Sequence, residues 1–572
     1  MLRLHLLCRH HHMLRRAVQL VSRSRAASSV SSPAVLAVHG QVTDDPEALR
    51  RHTTSRWLYD EQIHLPARYV SFDPQALARE AARVVGAECV RIDKICEGSN
   101  NKIYRLNFAD GREAIARLPC PLAGPPHLLI ASEVATMEFA RELLGLPVPK
   151  VLAWCSRAES TSVGAEFIIM DVAQGVELDS AWQSLDIGQR MALVKDMAKI
   201  QSKFLSLQFA HHGSLYFKAD VEGVPHTTDV FADPVASDIP ASHRRKYAIG
   251  PSVDWELWRG TRKQFDTYRG PWKDCLSLIS DTIRCQKAWL ARFAKPRLPS
   301  DASFLDEEDA SPAFHIKVLD QVLSCVPATM PSPELCAPTM WHSDLNRGNI
   351  FIDPSTRVVT GLIDWQSTTI GPLYLQANIP RAFVYTGHNI ELPSERLGKP
   401  RFPENFGSLS RDEKRAVLAE FVDAGTFVWQ QNVILEHPLW GAVYRLPKYP
   451  LRVNPIHCAS RTWTNGLTQL RGLLLRTRDG WAELAGPGTP CPLNFSQEEE
   501  DHIRVMMERS DAHEWMVKEV LAHLDTNKHG IVTPQRVDAL RELCRDMRAA
   551  WDTEEFCGPF PLQPGSRNLY AE

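Results

Sequence analysis

Between Trp341 and Trp365 the chain reads WHSDLNRGNIFIDPSTRVVTGLIDW, and this stretch constrains the fold more tightly than any other. Its apolar runs IFI (350–352) and VVTGLI (358–363) can pair as a hairpin, which brings Asp344 and Asp364 to one edge of a cleft although they lie twenty residues apart. Transfer of the terminal phosphoryl group of ATP needs a carboxylate that orients the attacking hydroxyl and oxygen ligands that hold magnesium on the phosphates. The spacing supplies all three. Asp344 faces the acceptor hydroxyl, Asn349 reaches a magnesium ion, and Asp364 holds a magnesium that bridges the phosphates. His342 is then structural. The competing reading, a polar loop that contains His, Asp and Asn by chance, does not account for a hairpin ending in Ile-Asp-Trp.

A site of this kind makes demands upstream: a loop over the phosphates, a basic residue on the third strand, and a helix glutamate to position it. The runs CVRIDKIC (89–96), KIYRLNF (102–108) and EAIARLP (113–119) are strand-like, and Ala109-Asp110-Gly111 joins the last two as a hairpin turn. Gly98, Ser99, Asn100 and Asn101 lie between the first two, where backbone amides and small side chains can cradle phosphate; a polar hairpin turn is the plainer reading. Arg117 is the basic residue on the third strand, where lysine is expected, and arginine clamps phosphate in bidentate fashion. On the following helix, LLIASEVATMEFARELLG, Glu133 is its natural partner and Glu138 the alternative, each otherwise a solvated helix charge. Two more apolar runs, VLAW and EFIIM, extend the sheet, and the passage between lobes falls at Met170, which is placed beside the nucleotide.

The pattern is α+β in two lobes. Residues 44–170 form a small N-lobe with an antiparallel sheet and one helix, and 171–490 a larger, helix-rich C-lobe that contains the 341–365 loop. Residues 211–275 read as an insertion of loops and short helices. Residues 491–572 form a C-terminal helical extension that starts near a capping box at Ser496 and Glu499. Within it DTNKHGIVTPQR (525–536) begins like a calcium-binding EF-hand loop, but its twelfth residue is Arg536 where a bidentate glutamate is needed, so a plain turn is expected.

Composition narrows the function classes. Of 572 residues, 44% are hydrophobic and 23% charged, with a net charge of −3, so neither a polyanionic partner nor nucleic-acid binding is implied. No apolar run reaches the roughly eighteen residues of a spanning helix, so no integral membrane segment is expected. Thirteen cysteines, scattered singly, suit reduced thiols better than disulfides or a zinc site. Residues 1–43 carry six arginines and no acid, with a SRSRAASSVSS stretch: a mitochondrial transit composition, preferred over a secretory signal or a disordered cytosolic tail. Removing those six from 65 basic residues leaves 59 against 68 acids, a net of −9 for the imported protein.

The segments HSDLNRGNI and LIDW resemble the aminoglycoside phosphotransferase family, which has the two-lobed protein-kinase-like fold and includes kinases for antibiotics, choline and other small hydroxyl compounds. The resemblance maps Asp344 onto the family's catalytic base and Asn349 and Asp364 onto its magnesium ligands. It implies ATP and Mg2+ as cofactors and an unidentified small hydroxyl compound as acceptor, hence a mitochondrial ATP-dependent phosphotransferase. DFG and APE motifs are missing, which argues against a protein kinase; one acting on a mitochondrial protein would need an open acceptor groove. The rival from another class is a non-catalytic nucleotide-binding scaffold in mitochondrial maintenance. Arg117 and the glycine-poor loop favour the scaffold, and the intact Asp, Asn, Asp set favours the enzyme.

Overall fold

The computed structural model describes residues 45–232, 239–298, 306–393 and 398–563; the arginine-rich segment 1–43 lies outside the described residues. A two-residue strand, β1 (Arg56–Trp57), and helix α1 (Pro74–Val85) lead into β2 (Cys89–Glu97), β3 (Asn101–Phe108) and β4 (Glu113–Pro119). Local chemistry sets the ends of α1: the Asp73 carboxylate accepts from the Gln75 N–H, Pro74 takes the first position, and Gly86 ends the helix at φ +77°. On β3 alternate side chains turn inward, burying Tyr104, Leu106 and Phe108, and Gly111 makes the turn to β4 at φ +83°. Helix α2 (Leu128–Glu142) packs on β5 (Val151–Cys155) and β6 (Phe167–Met170), which complete an antiparallel sheet in the order β2-β3-β4-β6-β5.

After β7 (Val176–Glu177) and α3 (Ile187–Leu205) comes a feature that periodicity does not predict. Within 211–275, where loops and short helices are expected, β8 (Ser214–Phe217) and β9 (Tyr247–Gly250) pair as an antiparallel ladder. Each strand is four residues long and almost wholly buried, so no polar alternation marks it. The ladder lies on α2. The Tyr247 ring meets Phe139 edge-on at 5.6 Å and its hydroxyl donates to Glu138 at 2.8 Å. Covered on both sides, α2 has twelve of its fifteen residues buried, which is why it lacks a polar face.

Helices α4 (Cys275–Phe293) and α5 (Pro312–Thr329) precede four short strands, β10 (Pro338–Trp341), β11 (Ile350–Ile352), β12 (Val359–Leu362) and β13 (Thr369–Pro372). β11 and β12 form the expected hairpin, with Ile350 opposite Leu362. Helices α6 (Arg411–Glu436), α7 (Tyr449–Ala459) and α8 (Thr468–Asp479) complete a core in which Trp341 packs on Trp440 at 5.3 Å. No helix among the described residues is long and apolar enough to cross a membrane.

The C-terminal helices α9 (Gln497–His523) and α10 (Val537–Ala549) flank a short strand, β14 (Ile531–Val532), and Ser496 and Glu499 form a reciprocal capping box. β14 pairs with β1 across the whole length of the chain, Trp57 opposite Ile531. Glu61 binds both Arg56 (2.6 Å) and Arg541 (3.0 Å), locking this junction. In the 525–536 loop the Arg536 guanidinium pairs with Asp525, so a side chain supplies the positive charge that an EF-hand takes from calcium.

Candidate active site

His342 follows the last residue of β10 and ties the two halves of the motif together. Its Nε2 donates to the Ile363 carbonyl (3.1 Å), its Nδ1 accepts the Asp344 N–H (3.2 Å), and its ring stands edge-on to Trp365 at 4.7 Å. One nitrogen donates and the other accepts, so the ring is neutral; burial lowers its pKa in the same sense. The histidine thereby fixes Asp344 to the residue just before Asp364.

Two asparagines trim the loop. Asn346 Nδ2 donates to Asp344 Oδ2 (3.0 Å), and Asn349 Nδ2 donates to the Asp344 carbonyl (2.9 Å). The Asn349 carbonyl in turn accepts the Ile363 N–H (3.1 Å), a second link between the halves. Asp344 Oδ1 accepts no hydrogen bond among the described residues and has the Arg381 guanidinium at 3.8 Å. With its amide nitrogen committed, Asn349 keeps Oδ1 as an oxygen donor.

Asp364 stands just past β12 with φ +62°, a left-handed conformation that costs a non-glycine residue about 1 kcal/mol or more. Its side chain is 41% exposed, whereas Arg117, 3.5 Å away, is buried. Arg117 comes from β4, where it faces Ile103 and Ile168, and pairs with Glu133 of α2. Burial pushes its pKa down to about 10, with Asp364 pulling the other way, so it remains a cation at neutral pH. Glu138, the alternative partner, binds Tyr247 and Lys246 instead.

The loop over this centre is a tight turn. Gly98 N–H donates to the Asn101 carbonyl (2.9 Å), and the Asn100 carbonyl accepts the Cys120 N–H (2.7 Å). A Cβ on Gly98 would come no nearer than 4.0 Å to another atom, so the turn does not demand glycine there. Ser99 is exposed at the tip. Met170 ends β6 opposite Ile115 and Val151, and the next residue's N–H donates to the Lys150 carbonyl (2.9 Å).

Gln366 is the residue that sequence reasoning missed. Its Oε1 accepts from Asn101 Nδ2 (2.5 Å) and from Arg117 Nη1 (3.3 Å), and its Nε2 donates to the Ala123 carbonyl (3.3 Å). One amide thus joins the glycine-poor loop, the strand arginine and the segment before α2. Its position two residues after Asp364, in LIDWQS, was the only available signal.

The donor set fits a nucleotide-bound magnesium. Among the described residues no three His, Cys, Asp or Glu side chains converge on a metal position. The protein can offer a carboxylate from Asp364 and an amide oxygen from Asn349, and magnesium characteristically takes one or two such ligands and completes its shell with phosphate and water.

Residues 92–375 match the family described as "Phosphotransferase enzyme family". Among curated relatives, the subtelomeric hrmA-associated cluster protein of Aspergillus fumigatus is 28% identical over 492 residues, 80% of this chain and 92% of that protein. Altered inheritance of mitochondria protein 9, mitochondrial, of Yarrowia lipolytica is 24% identical over 495 residues, 80% of this chain and 81% of that one. A solved ternary complex of streptomycin, ATP and the phosphotransferase APH(2″)-IIa covers 72% of this chain and 98% of its own at 12% identity and a TM-score of 0.34.

Proposed function

We propose that this chain transfers the terminal phosphoryl group of ATP to a hydroxyl of a small molecule, and does so in mitochondria. The observation that carries the reading is the neutral His342 clamp, which holds Asp344 and Asp364 in one frame with Asn349 between them. Magnesium-bound ATP supplies the activated phosphoryl group. Asp364 and Asn349 hold the metal, and Arg117, kept in place by Glu133, sets its positive charge beside the phosphates. Gly98, Ser99, Asn100 and Asn101 cover the phosphates, and Met170 lies beside the base. Asp344 takes the acceptor's hydroxyl proton as that oxygen bonds to phosphorus and the bond to the departing ADP oxygen breaks.

In this reading 44–170 is the nucleotide-covering lobe, 171–490 the catalytic lobe with the 211–275 insertion, and 491–572 an added extension. The arginine-rich, acid-free residues 1–43 and the mitochondrial name of the yeast relative support the location. A scaffold reading has one observation in its favour, the Arg117 guanidinium 3.5 Å from Asp364, which already neutralises the proposed metal ligand.

ADP release by the full-length protein, measured over a panel of hydroxyl compounds, separates the two. Asp344→Ala is expected to lower the rate at least about 100-fold. That variant keeps the rise in melting temperature caused by MgATP, and Asp364→Ala loses the rise. An undiminished rate in Asp344→Ala would falsify the catalytic reading; MgATP stabilisation without ADP release on any acceptor would favour the scaffold.

A further inference from the structure

The two oxygens of the Asp344 carboxylate have different surroundings. Oδ2 takes the amide N–H groups of Asn346 at 3.0 Å and, more loosely, of Asn349 at 3.5 Å, which occupy both of its lone pairs. Oδ1 accepts no hydrogen bond among the described residues and is closed to solvent, although the aspartate side chain as a whole is 40% exposed. An oxygen with free lone pairs is the one that can take a proton from a hydroxyl, so the proposed base works through its covered oxygen. The charged group set against that oxygen is the Arg381 guanidinium, with Nη1 at 3.8 Å.

Arg381 is fixed at its root and loose at its head. It opens a 3-10 turn, Arg381–Phe383, in which the Ala382 N–H donates to the Leu345 carbonyl (3.0 Å) and the Ala382 carbonyl accepts from Arg347 Nε (2.7 Å). Phe383 is buried against Trp182, the ring that also carries the Arg347 guanidinium at 4.0 Å. The turn is therefore pinned to the catalytic loop. The Arg381 side chain, by contrast, is 78% exposed, and 3.8 Å is longer than a hydrogen bond. An exposed ion pair of that length is weak and easily parted. Beside it lies a basin of about 370 Å³, of a size for a small molecule, walled by the loop residues 346–348, by Arg381 and Thr386, and by Asp179. Two of its wall residues, Asn346 and Arg381, are the ones that meet the Asp344 carboxylate directly.

We infer that Arg381 is a cover over the base oxygen that selects the acceptor over water, and that the acceptor reaches Asp344 from this basin. The inference rests on the phosphotransferase reading and deepens it. Water can take the acceptor's place: its proton passes to Oδ1, its oxygen bonds to the terminal phosphorus and the bond to the ADP oxygen breaks, leaving ADP and inorganic phosphate. With the guanidinium over Oδ1 that loss is held off. A water molecule brings no binding energy with which to move the side chain, whereas an acceptor that fills the basin does. Once displaced, the guanidinium turns its N–H donors to the acceptor's oxygens, and Oδ1 faces the hydroxyl.

The test measures ADP release by the full-length protein with MgATP and no acceptor, in the wild type, Arg381→Ala, Arg381→Lys and the double variant Asp344→Ala/Arg381→Ala. A rise of about tenfold is expected in Arg381→Ala, a smaller one in Arg381→Lys, whose compact head covers less of the oxygen, and none in the double variant, because the hydrolysis runs through Asp344. Both single variants keep the rise in melting temperature caused by MgATP, which checks that they are folded. Should Arg381→Ala lose it, Arg381→Lys carries the same comparison. Hydrolysis unchanged or lowered in both single variants, or a rise that persists without Asp344, overturns the inference; acceptor-dependent ADP release by the wild type then leaves the phosphotransferase reading standing. MgATP stabilisation without ADP release by the wild type on any hydroxyl compound, or by either single variant, removes that reading and the inference with it.

Discussion

Glu97 and Glu133 are both buried carboxylates of the N-terminal lobe, each set against basic residues, but their networks end differently. Glu97 receives Lys94 (2.9 Å), Lys102 (2.5 Å) and the N–H groups of Thr53 (2.6 Å) and Thr54 (3.0 Å), and Lys94 spends its other donors on the carbonyls of Ala48 and Arg51. The network closes on itself. Glu133 receives Arg117, which passes on to Gln366 and to Asp364, a carboxylate 41% exposed on a left-handed backbone. A closed network of buried charges fixes structure; one that ends on an exposed, strained acid has capacity left for a ligand.

Removing the acid from each network sharpens the contrast. Glu97→Ala leaves two buried ammonium groups without a counter-charge, for which a loss of about 3–5 kcal/mol in unfolding free energy is expected. Asp364→Ala removes an exposed acid and leaves the left-handed backbone as strained as before, since alanine keeps the Cβ, so its stability stays within about 1 kcal/mol of wild type while the MgATP-induced rise disappears. Urea unfolding with and without MgATP measures both. Equal destabilisation by the two substitutions would erase the distinction between them.

The pH response separates the same two regions more finely. Beside Glu97, burial pushes His52 down to about 4, the Glu97 charge opposing it only in part. Burial alone would raise Glu97, but the Lys102 ammonium, its hydrogen bond and the Thr53 N–H outweigh it and hold the carboxyl at about 2. A histidine whose folded pKa is depressed contributes stability above its unfolded value of about 6.5, and that stability drains as pH falls toward 4. Glu97 follows in a lower window, its contribution present above about 4.5 and lost as pH falls toward 2. The loss expected from His52 alone between pH 6.5 and 4 is about 1–3 kcal/mol. A His52→Gln variant should show a correspondingly flatter melting-temperature profile over that range. Arg117 stays charged throughout and adds no slope there.

The difference between the networks also governs what could be read from sequence. The 341–365 motif was legible because its hairpin and its His-Asp-Asn spacing are local, and the pairing of Arg117 with Glu133 followed from strand and helix order. Lys102 was not legible as a core residue. It occupies an inward position on β3, and only Glu97 and the Arg51 carbonyl, both contributed by other segments, make its burial tolerable. The β8–β9 ladder was hidden because four-residue strands buried on both faces show no period, and the β1–β14 pair because it joins Arg56 to Val532 and Trp57 to Ile531, at opposite ends of the described chain.

Gln366 is where the two regions come into contact, since Asn101 starts β3, the strand that carries Lys102, while Arg117 belongs to the open network. Gln366→Ala removes a neutral hydrogen-bonding bridge, for which about 0.5–1.5 kcal/mol of stability is expected to be lost, the smallest of these effects on folding. Its effect on ligand binding is more telling. With the bridge gone, the loop must be ordered at the expense of binding energy, and MgATP affinity should weaken about threefold to tenfold by calorimetry. Tighter binding in Gln366→Ala would mean the opposite, that the Asn101–Gln366 contact competes with the phosphates and that the open network is held shut until nucleotide displaces it.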